Sequence, residues 1–318
     1  MAKSHVSDTS VSTAPPSRRR WLHGIGPKSQ AAREEWLIGY LFLLPDALGL
    51  FIFLGLPALF AVYTSFFAWD GVRPRVFVGL DNYLTMVGDP VFIGSLKVTF
   101  FYTVLFVPGI FVVSLGLALL LAQKIRFRLV FRTAFFLPII TSGVIVGLIW
   151  NFMYDPQVGV LNYILETLHL PDQGWIGASG SALPSIVLTS IWWNAGYYMI
   201  IFLAGLQDIP RDFYEAAHID GANSWQSFRH ITWPLLKPTR FFVVVMTILA
   251  SFQVFDLVYI MTQGGPNYAT NTTVFYIYRQ AFYYSKMGYA SAMATFLFVI
   301  LTIVTLIQFR LQRGGTTA

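Results

Sequence analysis

The sequence predicts an all-α integral membrane protein with six transmembrane helices. Three observations predict it. The 318 residues are 56% hydrophobic and only 11% charged, with a mean hydropathy of +0.61, against about 25% charged in an ordinary soluble domain. Six runs are long enough to cross a hydrocarbon core, which takes about 20 residues of helix. None of the six alternates apolar with polar residues as a barrel strand would.

The runs centre on residues 47–66, 98–122, 134–154, 183–206, 241–261 and 288–308, and Asp256 is the one charge inside them. Basic residues set their orientation. Sixteen of the 21 fall on one side, in the N-terminal segment, at 124–132, at 211–240 and after the last run. The other five, Arg73, Arg75, Lys97, Arg279 and Lys286, fall opposite. Both termini are therefore expected in the cytoplasm. The same excess gives the net charge of +6.

Residues 1–35 read as a basic, disordered cytoplasmic tail carrying Arg18-Arg19-Arg20, which either signals topology or touches anionic lipid. The membrane domain is expected over 36–313 and a short C-terminal tail over 314–318. On the outer side, 70–95 and 155–182 are short aromatic and polar segments with turn signals at Asp70-Gly71 and Asp155-Pro156. The chain has no cysteine, which excludes disulfides, thiolate metal sites and a cysteine nucleophile. Its five histidines are scattered, so neither a metal site nor a catalytic residue is expected.

One internal cytoplasmic loop, 207–238, has room for structure of its own. Pro210 suits a first helical turn, with Asp212 and Glu215 near the positive end and Phe213, Ala216 and Ala217 on one side. Gly221 should end that helix. Asn223 or Ser224 should cap a second, carrying Trp225, Phe228 and Ile231, which Pro234 should close. Such a pair could be a DNA-binding helix-turn-helix, but Arg211, Arg229, Lys237 and Arg240 are balanced by Asp208, Asp212, Glu215 and Asp220. With no net field for phosphates, no nucleic-acid partner is expected. Docking into a protein cleft fits better, because small side chains allow close approach.

At this loop the sequence resembles a family. Glu215-Ala216-Ala217, Gly221 after three more residues, Ile231 after nine more and Pro234 three further on are similar to the EAA loop of ABC-importer permeases. Trp233 stands where the family usually has leucine. Phe77 to Tyr83, then Asp155-Pro156 with Gly159, Leu161 and Asn162, then Phe255-Asp256 through Pro266, and Gly288 to Ala292 extend the resemblance over residues 36–313. It is specific to the sugar subgroup related to MalF and UgpA. The resemblance implies a type I ABC importer permease fold in a prokaryotic cell membrane. It also implies a second permease subunit, two ATPase subunits and an extracytoplasmic solute-binding protein as partners. ATP and Mg would sit on the ATPase, since this chain has no G-x-x-x-x-G-K-[ST] loop and binds no cofactor itself. By the same resemblance, Glu215, Ala216, Ala217, Gly221, Ile231 and Pro234 would couple the chain to that ATPase.

Polar groups at membrane depth are costly, so those present are candidates for a substrate pathway. Asp46 follows Pro45 and reads as a helix cap or a snorkelling side chain. Asp256 reads equally as a pathway residue or as a tie between helices. A sugar presents polar edges and apolar faces, and the fourth and fifth spans supply both kinds of partner. Resemblance to MalF-type subunits singles out Asn194, Tyr197, Thr247 and Ser251 there. An ion-coupled secondary carrier is the alternative, but it would need titratable relays and usually internal repeats. A membrane enzyme would need a cluster of catalytic groups at depth.

Overall fold

The computed structural model describes residues 30–123 and 125–314. The expectations for His5, Arg18-Arg19-Arg20, His23, Lys124 and residues 315–318 lie outside them. Contacts divide the chain after Pro57 into two units. In the first, helix α1 (Gln30–Leu50) begins inside the segment expected as tail and runs on through Pro45. Asp46 is exposed and starts no new helix, which corrects the capping expectation. The irregularity comes instead at 51–55, a widened turn in which the Leu56 N–H bonds to the Phe51 carbonyl just ahead of Pro57. A proline lacks its N–H and presses on the carbonyl four residues back, and a π-type turn relieves both problems. Helix α2 (Leu56–Thr64) follows.

Beyond it, strands β1 (Phe67–Ala68) and β2 (Val76–Phe77) pair antiparallel, Phe67 opposite Phe77. Helix α3 (Asp81–Gly88) leads into α4 (Pro90–Ala122), which Asp89 caps by accepting from the Val91 and Phe92 N–H groups. Then come α5 (Arg128–Ile140), α6 (Gly143–Met153), α7 (Val160–Thr167) and α8 (Ala182–Gln207). The loop region holds α9 (Arg211–Ile219), α10 (Ser224–Ser227) and α11 (Trp233–Leu235). The chain ends with α12 (Lys237–Phe252), α13 (Asp256–Met261), α14 (Thr273–Tyr278) and α15 (Met287–Gly314).

Among the described residues, five stretches are long and apolar enough to cross a membrane, Glu35–Thr64, Pro90–Ala122, Ala182–Gln207, Lys237–Met261 and Met287–Leu311. The third expected span differs. It is two helices, α5 and α6, meeting at 101°. With 13 and 11 residues they are roughly 20 and 16 Å long, so neither alone crosses about 30 Å of hydrocarbon. Pro138 weakens the last turn of α5, and Thr141 and Ser142 take extended backbone before Gly143 starts α6. The fifth span is also interrupted, at 253–255, so that Asp256 opens a new helix.

The core forms where α4 runs along α8, burying Ile110, Leu121, Ile186, Met199 and Phe202. A Cβ on Gly196 would overlap the Phe135 carbonyl, so α5 lies backbone to backbone against α8, the close approach that small residues permit in lipid. Hydroxyls at depth turn back on their own helices, as Thr247 does to the Val243 carbonyl. That removes the cost of an unpaired polar group in hydrocarbon.

The loops away from 207–238 are tied by side chains. Asn82 donates to the Ser65 and Phe67 carbonyls, and Tyr83 meets Ser65 at 2.7 Å. Asn162, 5% exposed, accepts from the Trp175 ring N–H at 2.7 Å and donates to the Gln173 carbonyl. Asp70 and Asp155 each accept two backbone N–H bonds in tight turns, and these bonds hold both carboxyls below their ordinary range. Several residues that carried the family resemblance therefore fold loops.

Candidate functional site

Two regions hold the residues singled out from the sequence. The first is α9 and the turn after it. Pro210 precedes the helix with extended backbone, Asp212 lies in the first turn with the sign the helix dipole favours, and His218 lies in the last. Gly221 has φ +78°, a conformation that costs other residues about 1–2 kcal/mol. The Ala222 N–H reaches back to the Ala217 carbonyl at 2.9 Å and the Gly221 N–H to His218, which together satisfy carbonyls that the helix end would strand.

Asn223, rather than Ser224, caps α10, in a reciprocal pair with Gln226. Pro234 does not close this second helix as expected. The helix widens at 228–232, where the Trp233 N–H bonds to Phe228, and then passes through Pro234 to Leu235. The device is the same as the one ahead of Pro57.

Glu215 and Ala216 are exposed, Gly221 faces open space and Ala217 is half-buried. Ile231 points the other way and packs on the core, while Pro234 is exposed on the helix behind. The six residues thus divide into a presenting group at 215–221 and a supporting group. Sequence reasoning missed Ile219, 87% exposed at the end of α9, and Tyr214, whose hydroxyl meets Thr232 at 2.9 Å and pins α9 to the widened turn. A large aliphatic residue just before Asp220-Gly221 was the available signal for Ile219.

The second region is a cavity of about 190 Å³ among α4, α8 and the break between α12 and α13. Its polar lining is Ser190, Asn194, Gln253 and Asp256, and its aromatic lining is Tyr102, Phe106, Trp193 and Phe255. Tyr102 donates to Ser190 at 2.8 Å, and the Asn194 amide donates to the Ser190 carbonyl. The Asp256 carboxylate sits in the first turn of α13 and against Gly143, the first residue of α6, where an added Cβ would meet its Oδ2 at 2.9 Å. Helix starts carry unpaired N–H groups and a partial positive charge. The Asp256 side chain thus lies at the starts of two helices, and no basic side chain among the described residues forms an ion pair with it.

Of the five expected pathway residues, the cavity brings together Asn194 and Asp256. Ser251 lies behind it, hydrogen-bonded to Thr103 at 2.9 Å, and ties α12 to α4. Thr247 is wholly buried, and Tyr197 is 39% exposed, edge-on to Tyr198. Tyr102 and Thr103 were missed, although adjacent hydroxyl side chains in an otherwise apolar run were a signal.

Residues 114–314 match the family described as "Binding-protein-dependent transport system inner membrane component". The chain belongs to this family. It is 37% identical over 287 residues to the Bacillus subtilis protein described as "Probable ABC transporter permease protein YurN", covering 89% of this chain and 98% of that one. It is 34% identical over 278 residues to the arabinooligosaccharides transport system permease protein AraP of the same organism, covering 86% and 88%. A solved bacterial alginate ABC transporter, in complex with an alginate pentasaccharide-bound periplasmic protein, contains a chain that superposes with a TM-score of 0.79 at 25% identity. The match covers 91% of this chain and 98% of that one. The fold is accordingly that of type I ABC importer permeases, and the chain is a membrane-spanning permease subunit rather than an enzyme.

Proposed function

We propose that the chain forms half of the translocation pathway of an ATP-driven, binding-protein-dependent importer for a sugar or oligosaccharide. A second permease subunit would complete the pathway, two ATPase subunits would drive it, and an extracytoplasmic solute-binding protein would deliver the substrate. Both termini and the 207–238 loop face the cytoplasm in this reading, as the distribution of basic residues favours. ATP and Mg belong to the ATPase.

The observation that carries the reading is α9, closed at its C-terminal end by the Gly221 turn and presenting Glu215 and Ala216 beside exposed Phe213 and Ile219. Exposed apolar groups rimmed by charge mark a protein contact. A helix that cannot fray passes a push from the ATPase into α8 and α12 instead of absorbing it. The spans would then swing between inward- and outward-facing arrangements. In the pathway, Asn194, Gln253 and Asp256 offer hydrogen bonds to hydroxyls, and Trp193 offers a flat face to a sugar ring. Thr247 and Ser251 set the helix spacing behind them, and Tyr197 faces outward to a neighbouring chain. The arabinooligosaccharide and alginate relatives favour a carbohydrate.

Glu215→Lys tests the coupling. Reconstituted with its partners, the variant should lose ATPase association and at least about tenfold of ATP-driven uptake, the loss expected for one reversed interfacial charge. The isolated chain should keep its thermal unfolding midpoint. Normal association with normal uptake would sink the assignment. Uptake abolished by uncouplers and indifferent to ATP would favour an ion-coupled carrier instead.

A further inference from the structure

On the side of the 207–238 loop, α12 and α15 diverge and leave an open groove of about 490 Å³ walled by Phe111, Phe241, Val244 and Leu311. Its head is basic, since Arg240 lines it beside Lys237 and no acidic residue among the described residues does. The Arg240 guanidinium lies over the Trp233 ring, 3.7 Å from its centroid, which fixes the direction of its donors. Its Nε is buried and has no hydrogen-bond partner among the described residues, and the same holds for both amide atoms of Gln308, which also lines the groove. Buried donors left unpaired are costly. Two of them at the head of an apolar groove define a place for acceptor oxygens joined to a hydrocarbon chain.

We propose that this groove binds an anionic phospholipid. The acyl chain lies along Phe111, Phe241, Val244 and Leu311, and the phosphate oxygens take hydrogen bonds from Arg240 Nε and the Gln308 amide. Planar guanidinium donors match phosphate geometry, and basic pockets between membrane helices on the cytoplasmic side favour anionic head groups. A zwitterionic lipid would bring its own cation against Arg240, so the site selects net negative charge. Placement in the inner leaflet rests on the orientation proposed above, whereas the choice of head group does not.

The test is native mass spectrometry of the full-length chain, delipidated in detergent and given phosphatidylglycerol or phosphatidylcholine with identical acyl chains. Phosphatidylglycerol should be retained preferentially. Arg240→Gln should lower its retention roughly fivefold, the effect of one basic residue on an anionic head group, and leave phosphatidylcholine unchanged. Gln308→Leu should weaken it less, which keeps the test open should Arg240→Gln fold poorly. Because the chain has no native cysteine, Val244→Cys carrying a photoreactive thiol label reports the occupant directly in the assembled complex. A lipid adduct supports the proposal. Equal retention of the two lipids, retention indifferent to both variants, or a cross-link to a helix of a partner chain would overturn it.

Discussion

The two ends of the bundle formed by α4, α8, α12 and α15 are built on opposite rules. At the end holding β1, β2 and α7, several polar side chains turn inward and pair with one another or with loop carbonyls, although both amide atoms of buried Asn271 have no partner among the described residues. Asp89 accepts from the Tyr276 hydroxyl at 2.7 Å and the Tyr289 hydroxyl at 2.8 Å, and Asn82 and Asn162 each bridge loop carbonyls. At the other end, α9 shows Phe213 and Ile219 to the outside, and among the described residues one side-chain bond, Tyr214 to Thr232, reaches it from the structure behind. The first end spends its polar groups on holding its own loops. The second leaves those groups exposed, and its order comes from the backbone bonds after α9 and the Asn223–Gln226 box that caps α10.

The comparison breaks hardest at Gly288. An added Cβ would overlap the Phe67 carbonyl and lie 3.2 Å from the Trp69 N–H group, where the Gly288 N–H now bonds to the Trp69 carbonyl. Gly288→Val should push β1 off α15 and cost at least about 1–3 kcal/mol, the range for overpacking. The readout is a lowered unfolding midpoint and poor recovery of monodisperse protein. An unaltered midpoint would mean that the paired end is looser than its contacts.

Gly221→Val should do the opposite, sparing the bundle and damaging function. The space around Gly221 is open, so the harm is confined to the backbone at φ +78° and amounts to about 1–2 kcal/mol of local strain. The α9 cap should fray, the unfolding midpoint should hardly move, and substrate-stimulated ATP hydrolysis in the assembled complex should fall. Gly221→Asn, which tolerates the left-handed conformation better, should restore most of it. Equal harm from both would show that the cap geometry is not what α9 needs.

Much of this contrast was legible in the sequence, for identifiable reasons. Charge-free runs mark spans because a charge in lipid is expensive, and Pro210 and Gly221 mark α9 because each permits a narrow range of φ. The bend between α5 and α6 was not legible. A 21-residue apolar window reads the same whether or not Thr141 and Ser142 are extended, and the evidence for the turn lies in Gly196 and Trp193, more than fifty residues on. The passage of the helix through Pro234 was misread for a related reason. Proline forbids one hydrogen bond, and whether the chain stops or widens depends on what packs behind it. Ser251 was singled out by the resemblance, and its hydrogen bond to Thr103 was not legible because that partner lies 148 residues away.

The smallest effect separates the ends by pH. Burial works against the charged form of Asp89, but hydrogen bonds from Tyr276, Tyr289 and the Val91 and Phe92 N–H groups outweigh it, holding its carboxyl below the ordinary 3.8. A carboxyl lowered on folding stabilises the native state above its unfolded pKa, and that contribution is lost as pH falls through the folded value. Wild type should therefore unfold at a higher temperature than Asp89→Asn above about pH 5, with the gap closing below about pH 4. Because Asp89 is partly exposed, solvent screening should keep that gap below about 1 kcal/mol. Parallel curves for wild type and Asp89→Asn would mean that the two tyrosines bond equally well to a neutral side chain, and the paired end would then owe its stability to packing alone.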